Sequence, residues 1–191
     1  MSASTLIQAA RRSRRLSQKQ LSQQSGVAQS SLSLLESGRR HPSTETLERL
    51  LAVTGHQLVA IPTRRTDAAG AAASIAKSLT ANRRGDAVRN FIQLADDLAA
   101  EHDEVRYALT IATPIDTGEK RWDAALAALV EHRLHEEGLP FPSWTRSAER
   151  RLSRAWTFGS GRYDIPVDRS RVPIAFLEHG VLIDRDTLVS V

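Results

Sequence analysis

The chain has 191 residues, enough for one medium domain or two small ones. At 41% hydrophobic and 25% charged, its composition excludes wholesale disorder. It holds no cysteine, which excludes disulfides, thiolate metal sites and thiol chemistry and suits a cytoplasmic setting. Net charge is +4, yet residues 1–65 carry 10 of the 26 Lys and Arg and only 3 of the 22 Asp and Glu. A basic N-terminal part therefore precedes an acidic remainder, a cue for nucleic acid, with a solvated basic face as the alternative on charge alone. No apolar run approaches a membrane span, and the opening MSASTLIQAARRSRR lacks the basic-then-apolar order of a secretory signal.

The spacing of Leu6, Ile7 and Ala10 predicts a first helix that ends before Leu16. Ser17 with Gln20 three residues on has the spacing of a capping box, so a second helix is expected over residues 18–25 with Leu21 inward. Gly26 supplies a corner suited to a positive φ. A third helix follows from about Ala28, with Leu32 and Leu35 facing the core and Gly38 as its stop. Pro42 and Ser43 open a fourth, whose inner face is Leu47, Leu50 and Leu51.

Two helices joined by a tight glycine turn, the second with a polar outward face, form a helix-turn-helix. A helix of that width fits the major groove of B-DNA, where each base pair shows its own pattern of donors and acceptors. The outward face of the third helix carries Gln29, Ser30, Ser33 and Leu34, the candidates for reading bases. The Gln29 amide can donate to and accept from one adenine edge, the serines discriminate weakly, and Leu34 suits a thymine methyl. Gln18, Lys19, Ser31, Arg39 and Arg40 are the candidates for phosphate, which positions the protein without reading sequence.

Residues 5–55 resemble the phage-repressor-like (XRE, Cro/cI-type) helix-turn-helix family. The resemblance is carried by Leu-Ser-Gln at 16–18, Leu21, Gly26-Val27, Gln29, Leu32, Leu35-Glu36 and Gly38-Arg39. It implies a DNA-binding transcriptional regulator, and it implies that Arg11 and Glu36 form a structural ion pair and do not contact DNA. Two departures stand out. Ala28 takes the place of a serine or threonine cap, and Ser33-Leu34 replaces a more usual polar or basic pair.

After Gly55, the run Leu58, Val59, Ala60 and Ile61, ended by Pro62, predicts a short β-strand. A lone strand leaves its own backbone unsatisfied and needs a partner. The resemblance suggests pairing with a twofold mate, hence a homodimer on a palindromic operator. Pairing with the chain's own C-terminal region is the alternative.

Residues 63–73 read as a linker, and residues 74–191 as a mostly helical second domain for oligomerisation or for binding a partner or ligand. Helical period appears at Ile75–Leu79, at Val88–Ala99, at Val105–Ala112 before Pro114, and at Trp122–Leu134 before Gly138. A short helix is expected on Ala148, Leu152, Ala155 and Trp156, and the apolar tail from Val172 is expected to dock. Trp122, Trp144, Trp156 and Phe158 read as core, although the rigid LPFPSW loop at 139–144 also suits a pocket or an interface. The fold class is therefore mainly α: an N-terminal four-helix domain (1–62) with a following strand, then a helical C-terminal domain.

Nothing in the second domain reads as catalytic. His132 and His135 lack metalloprotease spacing and a third ligand, so a solvated helix face is the expectation and no metal is assigned. Asp96 and Asp97, near Glu101, His102 and Asp103, read as a polar helix end. Gly159-Ser160-Gly161 follows no strand-like run, and no serine nucleophile motif is present. No cofactor and no enzymatic activity are expected, and double-stranded DNA is the expected partner, with a nucleoid association through it. The segments RWDAALAALVEH and AFLEHGVLIDRDTLVSV resemble, more loosely, regulators of bacterial toxin–antitoxin operons. That implies an alternative in which the C-terminal domain neutralises a nucleotidyltransferase-like toxin while the N-terminal domain autoregulates the operon.

Overall fold

Serine and aspartate caps set the helix starts in the computed structural model, which describes residues 2–159 and 167–188. Helices α1 (Ala3–Ser13), α2 (Gln18–Ser25), α3 (Gln29–Glu36) and α4 (Thr44–Val53) follow in short succession. Ser2, Ser17 and Ser43 each accept the N–H of the third residue on, satisfying a donor that the helix start leaves free. The four helices close around Ile7, Leu21, Leu32, Leu35 and Leu50.

The second domain holds α5 (Ala68–Thr80), α6 (Arg84–Ala99), α7 (Asp103–Ile111), α8 (Lys120–His135) and α9 (Ile174–Glu178). Helix α8 is its axis. Apart from Lys120, Arg121, His132 and His135 it is buried along its whole length, the pattern of a helix enclosed on every side. Helices α5, α6, α7 and α9 all pack against it. Phe91, Trp122 and Phe158 stack in the same core, with the Phe91 and Phe158 ring centroids 4.5 Å apart.

Three expectations change. Residues 68–73, expected as linker, belong to α5: Asp67 accepts the Gly70 N–H at 2.8 Å, and Ala68, Ala69, Ala71 and Ala72 are buried. Alanine and glycine read as a spacer, but alanine is the best helix former and its small size permits close helix packing. The helix expected over 148–156 is instead a 3₁₀ turn at Ala148–Arg150 and a strand, β1 (Trp156–Thr157), parallel to β2 (Val181–Leu182). There the tail claims the donors that a helix would have used, since Leu152, Trp156 and Phe158 donate to the carbonyls of His179, Gly180 and Leu182. Gly180 makes the crossing possible: its φ is +73°, and a Cβ would lie 2.9 Å from the Leu152 carbonyl oxygen.

The third change concerns Leu58–Ile61, which form no strand within the single chain. Among the described residues β1 and β2 pair with each other and not with this segment, and an unpartnered strand has no ladder to join. Ile61 packs on the C-terminal core, while Leu58 and Val59 stay 47% and 71% exposed. The tail does dock as far as Leu188, which is buried; Val189 to Val191 lie outside the described residues. So do Ser160 and Gly161 of the Gly159-Ser160-Gly161 stretch.

The two domains touch. Helix α1 lies against α5, and Arg12 reaches Asp116 across the boundary at 3.1 Å. Asp97, expected at a polar helix end, lies near the end of α6, where it is buried and anchors the connection by accepting the Thr66 N–H at 2.9 Å and pairing with Arg65 at 3.6 Å. Among the described residues no helix is long and apolar enough to cross a membrane.

Candidate nucleic-acid interface

Helix α2 starts on a complete capping box: the Ser17 hydroxyl accepts the Gln20 N–H at 3.2 Å, and the Gln20 side chain accepts the Ser17 N–H at 2.8 Å. It ends at Gly26, whose φ of +72° turns the chain at once toward α3. Helix α3 has no side-chain cap at Ala28, so the donors of its first turn stay free. It turns Leu32, Leu35 and Glu36 inward and leaves Gln29, Ser30, Ser33 and Leu34 exposed on the other side; Ser31 is half-buried between them.

A charged joint fixes the angle of α3. Arg11 grips Glu36 in a two-pronged pair, Nε to Oε1 at 2.7 Å and Nη2 to Oε2 at 2.9 Å, with Glu36 almost wholly buried. The third arm of the guanidinium donates to the Leu16 carbonyl at 2.8 Å. Such a fork adds direction as well as energy. Gln18, expected to face phosphate, is half-buried, and its amide donates to Glu36 Oε2 at 2.9 Å. The side chain is thus committed to the joint, because a carboxylate buried behind α3 has acceptor capacity that Arg11 alone does not fill.

Sequence reasoning missed Gln8, which donates to the Glu36 carbonyl at 2.6 Å, and Arg14, which donates to the Thr54 carbonyl at 2.7 Å and ties α1 to the end of α4. The signal for Gln8 was its spacing, one short turn before Arg11 on the same helix face. The basic run Arg11–Arg15 hid Arg14, since its members look alike in sequence and differ only in what they meet.

Lys19, Arg39 and Arg40 are exposed, and among the described residues no hydrogen bond or ion pair engages their side chains. Arg39 and Arg40 leave α3 beyond Gly38, their backbone N–H groups both turned to the Leu34 carbonyl. The outward surface therefore combines a short polar ridge with unpaired cations at its margin. A ridge of that kind offers donors and acceptors to base edges and charge to phosphates.

Residues 7–57 match the family model described as helix-turn-helix. The N-terminal domain is a helix-turn-helix domain. Its motifs resemble the XRE type, and the match supports a DNA-binding role of the regulator kind for this domain. The helix-turn-helix match covers just over a quarter of the sequence. No curated protein and no solved structure matched the chain.

Outside the helix-turn-helix, the solvated face expected around His132 and His135 holds at His135 and Glu136, which are exposed, and fails beside them. Glu131 and Arg133 are buried and His132 is half-buried, where burial lowers its pKa from the ordinary imidazole value. Glu131 accepts the Thr145 hydroxyl at 2.7 Å and lies 3.3 Å from His179 Nε2. Sequence spacing gave no sign of that contact, because the tail brings His179 back onto α8. Among the described residues no group of three or more His, Asp or Glu side chains is arranged to hold a metal ion.

Two substitutions separate the joint from the cap. Glu36→Ala leaves the Arg11 guanidinium without its buried partner and is expected to cost about 3–5 kcal/mol in urea unfolding. Ala28→Ser supplies the missing cap and is expected to add about 1 kcal/mol in the same assay.

Proposed function

We propose that the chain is a dimeric transcriptional repressor that reads a palindromic operator, the region upstream of its own gene being the first place to look. The observation that carries this reading is the exposed Gln29–Ser30–Ser33–Leu34 ridge, held rigid from behind by Arg11, Gln18 and Glu36 and flanked by cations with no acidic partner. On this reading the ridge faces the major groove, with Gln29 on an adenine edge and Leu34 against a thymine methyl. Lys19, Ser31, Arg39 and Arg40 hold phosphate, and the free first-turn donors of α2 and α3 add to them. Gln18 contributes to phosphate binding only through its backbone, since its side chain serves the joint.

The dimer reading rests on Leu58 and Val59, two large apolar side chains exposed in a segment with no regular structure of its own. A second copy offers the strand partner that the chain does not supply. On this reading the chain is not an enzyme, and its second domain serves assembly or the binding of a partner.

A second reading is favoured by α9, where Ile174 is 73% and Leu177 36% exposed beside a cavity lined by His132, Phe141 and Arg146. Apolar side chains so placed suit a protein partner, and an antitoxin role has the C-terminal domain neutralising a toxin while the helix-turn-helix autoregulates the operon.

The test is binding of the full chain to the DNA upstream of its gene, against scrambled DNA, across a salt series. Gln29→Ala is expected to cost about 1–3 kcal/mol and to relax preference at one base position, whereas Arg39→Ala weakens all sequences alike and lowers the salt slope by about 1. Indistinguishable behaviour of the two variants overturns the assignment. Leu58→Asp with Val59→Asp is expected to convert dimer to monomer in sedimentation velocity and to weaken operator binding; an unchanged dimer removes this segment from the interface.

A further inference from the structure

A cleft of about 980 Å³ lies between the two domains, and its walls come from both. Arg12 and Arg15, at the end of α1 and just beyond, form one side, while Arg146 and Arg150 with the loop around Asp116 form the other. The lining holds four guanidinium groups and two carboxylates, Asp116 and Glu149; behind it Arg146 also lies 3.9 Å from Glu131. Asp116 is already shared, 3.1 Å from Arg12 and 4.0 Å from Arg150. The lining itself is therefore net positive, with cations drawn from both domains and Arg15 the one among them without an ion pair among the described residues.

Two of the arginines are costly to keep there. Arg150 is only 5% exposed; it lies over the Trp144 ring at 5.2 Å and donates through Nη2 to the Pro114 carbonyl at 3.0 Å. Its Nη1, 3.7 Å from Asp123, makes no hydrogen bond among the described residues. A buried donor left without an acceptor is destabilising and rare in folded proteins. Arg15 has a φ of +54°, in the left-handed region where glycine is usual and a long side chain is strained. Its N–H closes the end of α1 on the Arg12 carbonyl at 2.8 Å. Its guanidinium stands at the cleft with no hydrogen bond or ion pair among the described residues.

We propose that this cleft binds a small polyanion, a molecule with two or more phosphate or carboxylate groups, held between Arg12 and Arg15 on one wall and Arg146 and Arg150 on the other. Guanidinium forks match both kinds of oxyanion. A ligand with anionic groups at both ends spans the cleft where a single small anion reaches one wall only. A nucleic-acid backbone fits less well, because Asp116 and Glu149 interrupt the basic lining and repel a continuous row of phosphates. Because the walls belong to different domains, such a ligand favours the docked arrangement of the helix-turn-helix against the second domain and shifts the population toward it.

The experiment is isothermal titration of the full chain with pyrophosphate and, separately, with citrate, at constant ionic strength. Saturable binding of either probe, weakened on the order of tenfold by Arg15→Ala with Arg146→Ala and unchanged by Arg39→Ala with Arg40→Ala, supports the site. Which probe binds tells phosphate from carboxylate ligands. Arg15, Arg39, Arg40 and Arg146 are exposed, so these variants are expected to unfold at the wild-type temperature. The proposal is overturned by the absence of saturable heat with both probes. It is equally overturned by wild-type binding in the Arg15/Arg146 variant, or by as large a loss in the Arg39/Arg40 variant, which would place the anion on the surface proposed for DNA.

Discussion

A helix enclosed on every side has no solvent to which a charge can escape, and α8 carries three charged residues, Asp123, Glu131 and Arg133, that are buried. An ion in that position is tolerated only when its hydrogen-bonding capacity is filled by neighbours. Much of the second domain is arranged to do so. Asp123 accepts the Thr117 N–H at 2.9 Å, yet burial still pushes its carboxyl above the usual carboxylate range. Glu131 takes the Thr145 hydroxyl and the approach of His179. Arg133 donates to the carbonyls of Ala95 and Leu188 and to Glu136. The loop before α8 is thus held to the helix by Asp123, the end of the LPFPSW loop at Thr145 by Glu131, and the tail by Glu131 and Arg133, and the domain's irregular segments take their paths from those contacts.

The first domain solves a related problem on a smaller scale. Its core of five buried aliphatic side chains is too small to fix the attitude of an eight-residue helix such as α3 by packing alone. Glu36, gripped by Arg11 and Gln18, adds direction to what packing leaves loose. The joint faces α1 and the ridge faces outward, so the residues that hold α3 are not those it presents. Between the domains, the Arg12–Asp116 bridge and the anchoring of the connecting segment on Asp97 keep the two bodies in contact.

What was legible in the sequence is what depends on near neighbours. The capping box at Ser17, the corner at Gly26 and the inward leucines of α2 to α4 each follow from residues within a turn or two, and the helical class of the second domain follows from its apolar period. What escaped were consequences of distant contacts. Arg133 meets partners 38 and 55 residues away, and no local pattern distinguishes it from a solvated arginine. Alanines 68–72 lack the amphipathic contrast that marks a helix, since small residues are buried without looking apolar. Residues 148–156 have helical period, but the tail offers carbonyls at strand register and wins the donors, a tertiary preference overriding a local one. At the interface, exposure of the ridge was legible from the spacing of Leu32 and Leu35, while the commitment of Gln18 to Glu36 was not, because a glutamine at a helix start looks the same whichever way its amide turns.

The separation of joint from ridge has a consequence for how such a protein diversifies. Gln29, Ser30, Ser33 and Leu34 neither bury surface in the core nor bond to Glu36, so exchanging them leaves the scaffold's stability nearly untouched. Arg11, Gln18 and Glu36 admit no such freedom, since altering one leaves the buried Glu36 carboxylate, or the groups that grip it, without a partner. Drift after gene duplication can therefore move through many ridge compositions on one unchanged frame, and two descendants can part company in what they recognise while remaining superimposable in how they fold.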